Sequence, residues 1–300
     1  MKNENKLTLR NINKRLKILP ALPSSVCELM QLNSESDDFF AKIAEISQYE
    51  PSLTTRVLKV VNSIKASPVK PITDINQALV RAGCDEILSF ITMMSVAQVF
   101  TPVSDNQKKL WQHSIEVALF SRYLASNNPS TDVDPNLAYT SGLLHDIGRL
   151  VLFNLSTSSV DFIASKHWST PVELPEIESQ YFGFTHAQVG YLAAKRWQLP
   201  QVITDVIMFH HVYAEKELLG LSGNFKQLLY IIQLSDYLSM YLMKDNAWQE
   251  LDDAQLLTEI THNCVSKISK NLKIDSNHLI LEIPAIVEKA KQSMRKLRIS

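Results

Sequence analysis

Glycine is scarce in this chain, at 7 of 300 residues. Folds that cradle dinucleotides or phosphates on glycine-rich loops are therefore disfavoured, and no G-x-G-x-x-G or G-K-S/T string occurs. Cysteine is thinner still. Cys27, Cys84 and Cys264 lie far apart with no C-x-x-C pair, which argues against a disulfide frame or a zinc knuckle and for reduced structural thiols. Net charge is almost nil: 30 Lys plus Arg against 31 Asp plus Glu leave −1. That balance offers no electrostatic capture of nucleic acid or of anionic membrane, so neither is expected as a partner. Long apolar runs are missing as well. The longest, Ile87 to Phe100, carries Ser89, Thr92, Ser95 and Gln98 and is too short to span a bilayer. The opening residues, MKNENKLTLRNINKR, lack the apolar core of a secretory signal. A cytoplasmic location is the expectation.

What remains is an ordinary globular composition, 45% apolar and 20% charged. Period-2 alternation is nearly absent and no Asn-Gly or Asp-Gly hairpin turn occurs, whereas helical periodicity runs almost throughout. Ser25-Val26-Cys27-Glu28 has capping-box spacing and predicts a helix start. Further starts are predicted at Pro51-Ser52, Thr73-Asp74, Asp134-Pro135, Thr185 and Pro200. Loops are expected near residues 63–72, where Pro68 and Pro71 fall, and near 101–106, 126–135, 168–176 and 215–224. The reading is all-α in three regions. Residues 1–105 form a helical half without histidine, residues 106–243 a histidine-rich helical half, and residues 244–300 a helical appendage. The basic stretch that ends it (Lys289, Lys291, Arg295, Lys296, Arg298) reads as a solvated helix face.

Six of the eight histidines fall between 113 and 211, and five of them share a pattern. His113 is followed by Val117, Phe120 and Leu124, so its stripe points inward. His186 heads a face of Val189, Gly190, Ala193, Ala194 and Trp197, whose small residues would admit a close neighbour. His210 shares a face with Ile203, Val206 and Ile207, with His211 adjacent. Asp236 lies among Leu229, Ile232, Met240 and Met243, and His145-Asp146 follows Gly142-Leu143-Leu144. His167, His262 and His278 lack this pattern.

A lone histidine on an apolar face is ordinarily a hydrogen-bonded core residue. Five imidazoles and two carboxylates facing one interior are harder to explain that way, because an unpaired buried carboxylate costs several kcal/mol. Such groups on facing helices suit first-row divalent metals. Seven of them exceed one tetrahedral site and fit two adjacent ions. A metal pair suits phosphoester hydrolysis, because it lowers the pKa of a bridging water and stabilises charge on phosphoryl oxygens.

At these residues the chain resembles the HD superfamily, whose pattern H … HD … H … HH … D falls on His113, His145-Asp146, His186, His210-His211 and Asp236. Surrounding strings narrow the resemblance to the HDOD (HD-related output domain) family: LPALP from Leu19, YEPSL from Tyr49, Val61-Asn62-Ser63, Ile72 to Ala78 followed by Val80-Arg81-Ala82-Gly83, GLLHDIGRL from Gly142, GFTHAQVG from Gly183 and WQLP from Trp197. It covers roughly residues 15 to 243. It implies an HD-type helical bundle with an additional N-terminal helical half, in a bacterial signalling protein. Most members lack part of the ligand set, whereas this chain has a ligand-type residue at all seven positions. It departs from the related HD-GYP phosphodiesterases. Val212-Tyr213-Ala214-Glu215-Lys216 after the paired histidines contains no Gly-Tyr-Pro, and Lys109 stands four residues before His113 where some relatives place a glutamate.

The resemblance assigns His145 and Asp146 to the centre, with Asp146 bridging two metals. His113 and Asp236 complete one shell, and His186, His210 and His211 the other. Asp146 and Arg149 are the candidate catalytic residues; Arg149 replaces the lysine of the HDIGK-like string and would meet developing phosphoryl charge as a planar fork. Imidazole and carboxylate ligands admit iron, manganese, nickel, zinc or cobalt. Three readings follow: a regulatory module acting through binding of a separate signalling protein or a phosphorylated small molecule, a metal-dependent phosphohydrolase on a nucleotide or cyclic nucleotide, and an inert scaffold.

Overall fold

The computed structural model describes residues 7–17, 21–31, 39, 41–43, 45, 54–55, 58, 61–62, 72, 77, 83–128, 130–166, 168–244, 246–268 and 272–299. All the regular structure among them is helical. Thirteen α-helices carry it: α1 (Leu9–Arg15), α2 (Ser24–Leu29), α3 (Cys84–Val99), α4 (Asp105–Ser126), α5 (Pro135–Leu144), α6 (Ile147–Leu155), α7 (Thr157–Ala164), α8 (Glu173–Phe182), α9 (His186–Arg196), α10 (Gln201–Phe209), α11 (Gly223–Lys244), α12 (Asp253–Asn263) and α13 (Ser276–Leu297). None of the described helices is long and apolar enough to cross a membrane. The predicted starts at Pro51-Ser52 and Thr73-Asp74, and His167, lie outside the described residues.

The chain forms two compact units. One contains residues 20–99 and 197–200, the other residues 1–19, 100–196 and 201–300. In the first, α2 packs on α3, and Cys27 is a buried free thiol whose Sγ lies 3.6 Å from the carbonyl of Trp197. Burial pushes that thiol up to about 11, as expected for a structural cysteine. The Val61-Asn62-Ser63 string acquires a physical role here. The Asn62 amide donates to Ile72 O at 2.8 Å and to Leu58 O at 2.9 Å, while its oxygen accepts from Ile72 N at 2.8 Å. One side chain thus satisfies both backbone groups of a residue ten positions on.

The second unit is built around the long helix α4, against which α5, α11 and α13 pack. Ser104 and Gln107 start α4 with a reciprocal capping box. Trp111 and Phe120 are fully enclosed, and the Trp111 indole N–H donates to Phe100 O at 3.0 Å. The α6 and α9 helices pack together, with α10 against both α9 and α5. The predicted caps hold at Asp134, whose carboxylate accepts from Asn136 N and Leu137 N ahead of Pro135, and at Thr185, paired reciprocally with Gln188. The start at Ser25 shifts: Pro23 is the capping position, without a side-chain cap, and Ser24 opens the helix. Two expected loops are partly helical. The α8 helix begins at Glu173, and the stretch 215–224 contains a 3-10 turn (Glu215–Leu218) and the start of α11. The basic residues Lys289, Lys291, Arg295 and Lys296 are exposed on α13 and Arg298 just beyond it, with Arg295 paired to Glu288 at 2.6 Å.

Candidate metal centre

Asp146 follows α5 directly and occupies the N-terminal capping position of α6, so the chain turns between the two helices at the His145-Asp146 pair. Both residues are buried. His113 comes from the middle of α4, His186 from the first position of α9, His210 and His211 from the end of α10, and Asp236 from the middle of α11. Four helices and one interhelical turn therefore converge on one point.

The imidazole nitrogens gather around Asp146. Its Oδ1 lies 3.0 Å from His186 Nε2 and 3.7 Å from His210 Nε2. Its Oδ2 lies 3.7 Å from His113 Nε2, 3.8 Å from His145 Nε2 and 2.6 Å from Arg149 Nη1. His186 Nε2 is 3.2 Å from His210 Nε2 and 3.0 Å from His211 Nε2. Asp236 joins through His113, with Oδ1 3.4 Å from Nε2. Two sets of atoms are each compact enough to hold a metal ion: Asp146 with His186, His210 and His211, and Asp146 with His113 and His145. All seven sequence-predicted ligand positions are brought together, with Asp146 common to both sets. Arg149 lies at their edge, its guanidinium 5.5 Å from the Trp168 ring centroid.

The outward nitrogens explain why the inward ones face the centre. His145 Nδ1 lies 2.7 Å from Gly142 O, and His210 Nδ1 lies 2.9 Å from Ile207 O. A carbonyl only accepts, so Nδ1 carries the proton and Nε2 is the atom presented to the site. His186 Nδ1 is 2.6 Å from Glu178 Oε2, and the same oxygen accepts from the His186 backbone N–H at 2.8 Å. His113 Nδ1 is 3.0 Å from Ser239 Oγ, which donates to Glu116 Oε2 at 2.7 Å and so accepts from His113. Glu178, Glu116 and Ser239 were not singled out from the sequence. A signal existed for the two carboxyls, because Glu116 falls one turn beyond His113 and Glu178 one turn beyond the buried Leu174.

Electrostatics separates the imidazoles. Burial pushes His145 down to about 4, against the attraction of Asp146 and Asp236. His211 is likewise driven well below the usual range, by burial and then by His210 and His186. His186 moves the other way: despite its burial, the charges of Glu178 and Asp146 raise it to about 10. Burial alone would raise the Asp146 carboxyl, but Arg149, His145 and His186 hold it well below the ordinary carboxylate range. Glu178 and Asp146 thus draw positive charge onto His186, and a divalent cation satisfies the same demand. The donor set fits such a cation, since His145 Nε2 is buried, neutral and without a hydrogen-bond partner among the described residues.

Replacing Glu178 by glutamine is expected to weaken metal retention about 10- to 100-fold, because the His186 ring loses the anion that orients it and raises its basicity. Equilibrium dialysis of wild type and Glu178→Gln against manganese checks this. Equal retention would mean that the carboxylate acts on folding alone.

An all-helical protein with a buried histidine and aspartate cluster able to hold a metal ion is the class that fold and site define. The family model of the HDOD domain matches residues 19–213. The chain belongs to the HDOD family. The match ends before Asp236, so that carboxylate joins the site from outside the matched segment. Among solved structures, an HDOD domain protein of unknown function from Geobacter sulfurreducens has a TM-score of 0.69 at 22% identity, covering 95% of this chain and 97% of its own. A Shewanella amazonensis SB2B protein named as a candidate phosphohydrolase has a TM-score of 0.68 at 19% identity, with 95% and 97% covered. A Marinobacter aquaeolei VT8 protein named as a candidate signal transduction protein has a TM-score of 0.66 at 19% identity, covering 96% of this chain and 61% of that one. A Treponema pallidum (strain Nichols) protein, whose name carries no function, is 24% identical over 201 residues. That match takes in 67% of this chain and 39% of the Treponema protein.

Proposed function

We propose that this chain is a bacterial signalling module whose buried centre holds two divalent transition metals bridged by Asp146 and binds a phosphorylated small molecule there. The observation that carries the reading is the membership of Asp146 in both compact ligand sets. A carboxylate has two oxygens, and here Oδ1 faces His186 and His210 while Oδ2 faces His113 and His145. His113 and His145 would hold one ion, with Asp236 beside them; His186, His210 and His211 would hold the other. Arg149 supports the phosphorylated ligand, since a guanidinium fork matches phosphoryl oxygens. The name carried by the Marinobacter protein agrees with a signalling role. A separate signalling protein would receive the output.

Elemental analysis of anaerobically purified protein tests the centre. About two transition-metal ions per chain are expected. A ratio near zero that does not rise on soaking with iron, manganese or zinc would sink the reading and leave a hydrogen-bonded scaffold.

Hydrolysis of the bound ligand is the second reading, favoured by Arg149 sitting 2.6 Å from the shared carboxylate and in keeping with the Shewanella protein's name. A metal pair supplies an activated water and neutralises charge on the phosphoryl group. The chain's own part is orientation by Arg149 and exclusion of solvent by the buried walls. Under this reading Arg149→Ala slows turnover of a generic phosphodiester about 100-fold while metal content stays the same. An equal rate in the variant would remove Arg149 from the chemistry.

A further inference from the structure

Two residues beyond His211, in the segment that lacks the Gly-Tyr-Pro of the HD-GYP enzymes, stands Tyr213. Its hydroxyl oxygen is shielded from solvent and has no hydrogen-bond partner among the described residues. Such a group leaves its desolvation uncompensated, so an enclosed tyrosine hydroxyl ordinarily finds an acceptor. The segment is not loose: Gln233 Nε2 of α11 donates to Val212 O at 2.9 Å, and the Tyr213 ring meets Tyr237 edge-on with centroids 5.8 Å apart. Tyr237 directly follows Asp236 in α11. Tyr213 is therefore pinned beside the metal centre, with its polar atom unspent.

What the hydroxyl faces follows from its surroundings. A phenol, with an ordinary pKa of about 10, is protonated near neutral pH and has one O–H to donate. A protonated phenol is a poor metal ligand, and neither Asp236 nor Asp146 accepts from it. No described residue supplies the acceptor, and one from outside the protein would satisfy the hydroxyl. We propose that Tyr213 Oη donates a hydrogen bond to a phosphoryl oxygen of the ligand at this centre, making it a ligand-positioning residue alongside Arg149. The inference rests on the reading of the centre as a metal site for a phosphorylated ligand, and it adds a neutral donor to the cationic one. The chemical class it selects is a tetrahedral oxyanion, presented as a phosphate mono- or diester.

The test compares wild type with Tyr213→Phe, each loaded with manganese. Metal per chain is measured by elemental analysis, inorganic phosphate binding by titration calorimetry, and thermal midpoint without metal or phosphate. Equal metal content, roughly 10-fold weaker phosphate binding and an unchanged or slightly raised midpoint are expected, because phenylalanine removes a hydroxyl that the protein itself leaves unpaired. Equal phosphate affinity in the two proteins overturns the inference. So does lower metal retention with unaltered phosphate affinity per loaded site, which would assign the hydroxyl to a water on the metal. A midpoint lowered by several degrees overturns it too, by showing a structural partner. Wild type that takes up no metal brings down the underlying reading and this inference with it. Wild type that takes up metal but binds no phosphate brings down the inference and leaves the metal centre standing.

Discussion

Asp146→Ala is expected to empty the metal centre and destabilise the protein together. No other side chain belongs to both ligand sets, and removing it leaves each with imidazoles alone. Metal per chain should fall from about two to near zero. The second effect comes from Arg149, whose side chain is only 16% exposed and whose 2.6 Å partner disappears. Removing one partner of a buried ion pair costs about 3–5 kcal/mol. Asp146→Asn separates the effects, because its amide keeps a polar contact for the guanidinium while giving up the charge that holds the cations. Elemental analysis and urea denaturation of the three proteins check both. Metal retained in Asp146→Ala would break the argument for a shared bridge.

The second large effect is expected from Gly148→Ala. A Cβ at Gly148 would lie 1.9 Å from His186 O and 2.7 Å from Gly190 N. Those are backbone atoms of α9, so no rotamer change relieves the clash and α6 and α9 must separate. Overpacking that only a backbone shift can relieve costs about 3 kcal/mol, the upper end of the usual range. The separation also carries His186 away from Asp146, which caps α6. A lowered denaturation midpoint is expected, with metal content falling towards one ion per chain as the His113 and His145 side survives. A variant as stable as wild type would show that α6 and α9 separate without cost.

Much of this was legible from residue spacing. The inward stripe of His113 with Val117, Phe120 and Leu124 is buried as the helical period required. The small-residue face of His186 does admit a close neighbour, though that neighbour is α6, carrying a glycine of its own at 148. Two things could not be read. Ser25 has good capping-box spacing, yet a proline two residues earlier sets the helix start, because Pro23 fixes its own φ and fits the entry to the first turn. Glu178 looks like one more acid in the amphipathic segment ELPEIESQYF. Only the packing of α8 on α9 reveals that it is 3% exposed and bound to a histidine.

The four histidines whose outer nitrogens are engaged fall into two kinds. His145 and His210 are oriented by carbonyls three residues earlier in their own chain, so any helix turn carrying them sets their rings. His186 and His113 are oriented by acids, Glu178 directly and Glu116 through Ser239. Half of the centre is thus self-aligning, and half depends on supports that no ligand motif records. An exchange of the acid at 178 or at 116 would accordingly disturb the orientation of His186 or His113 while all seven ligand-type residues stayed in place. The seven ligand letters alone therefore describe the centre incompletely, since the acids at 178 and 116 set the direction in which two of its rings face.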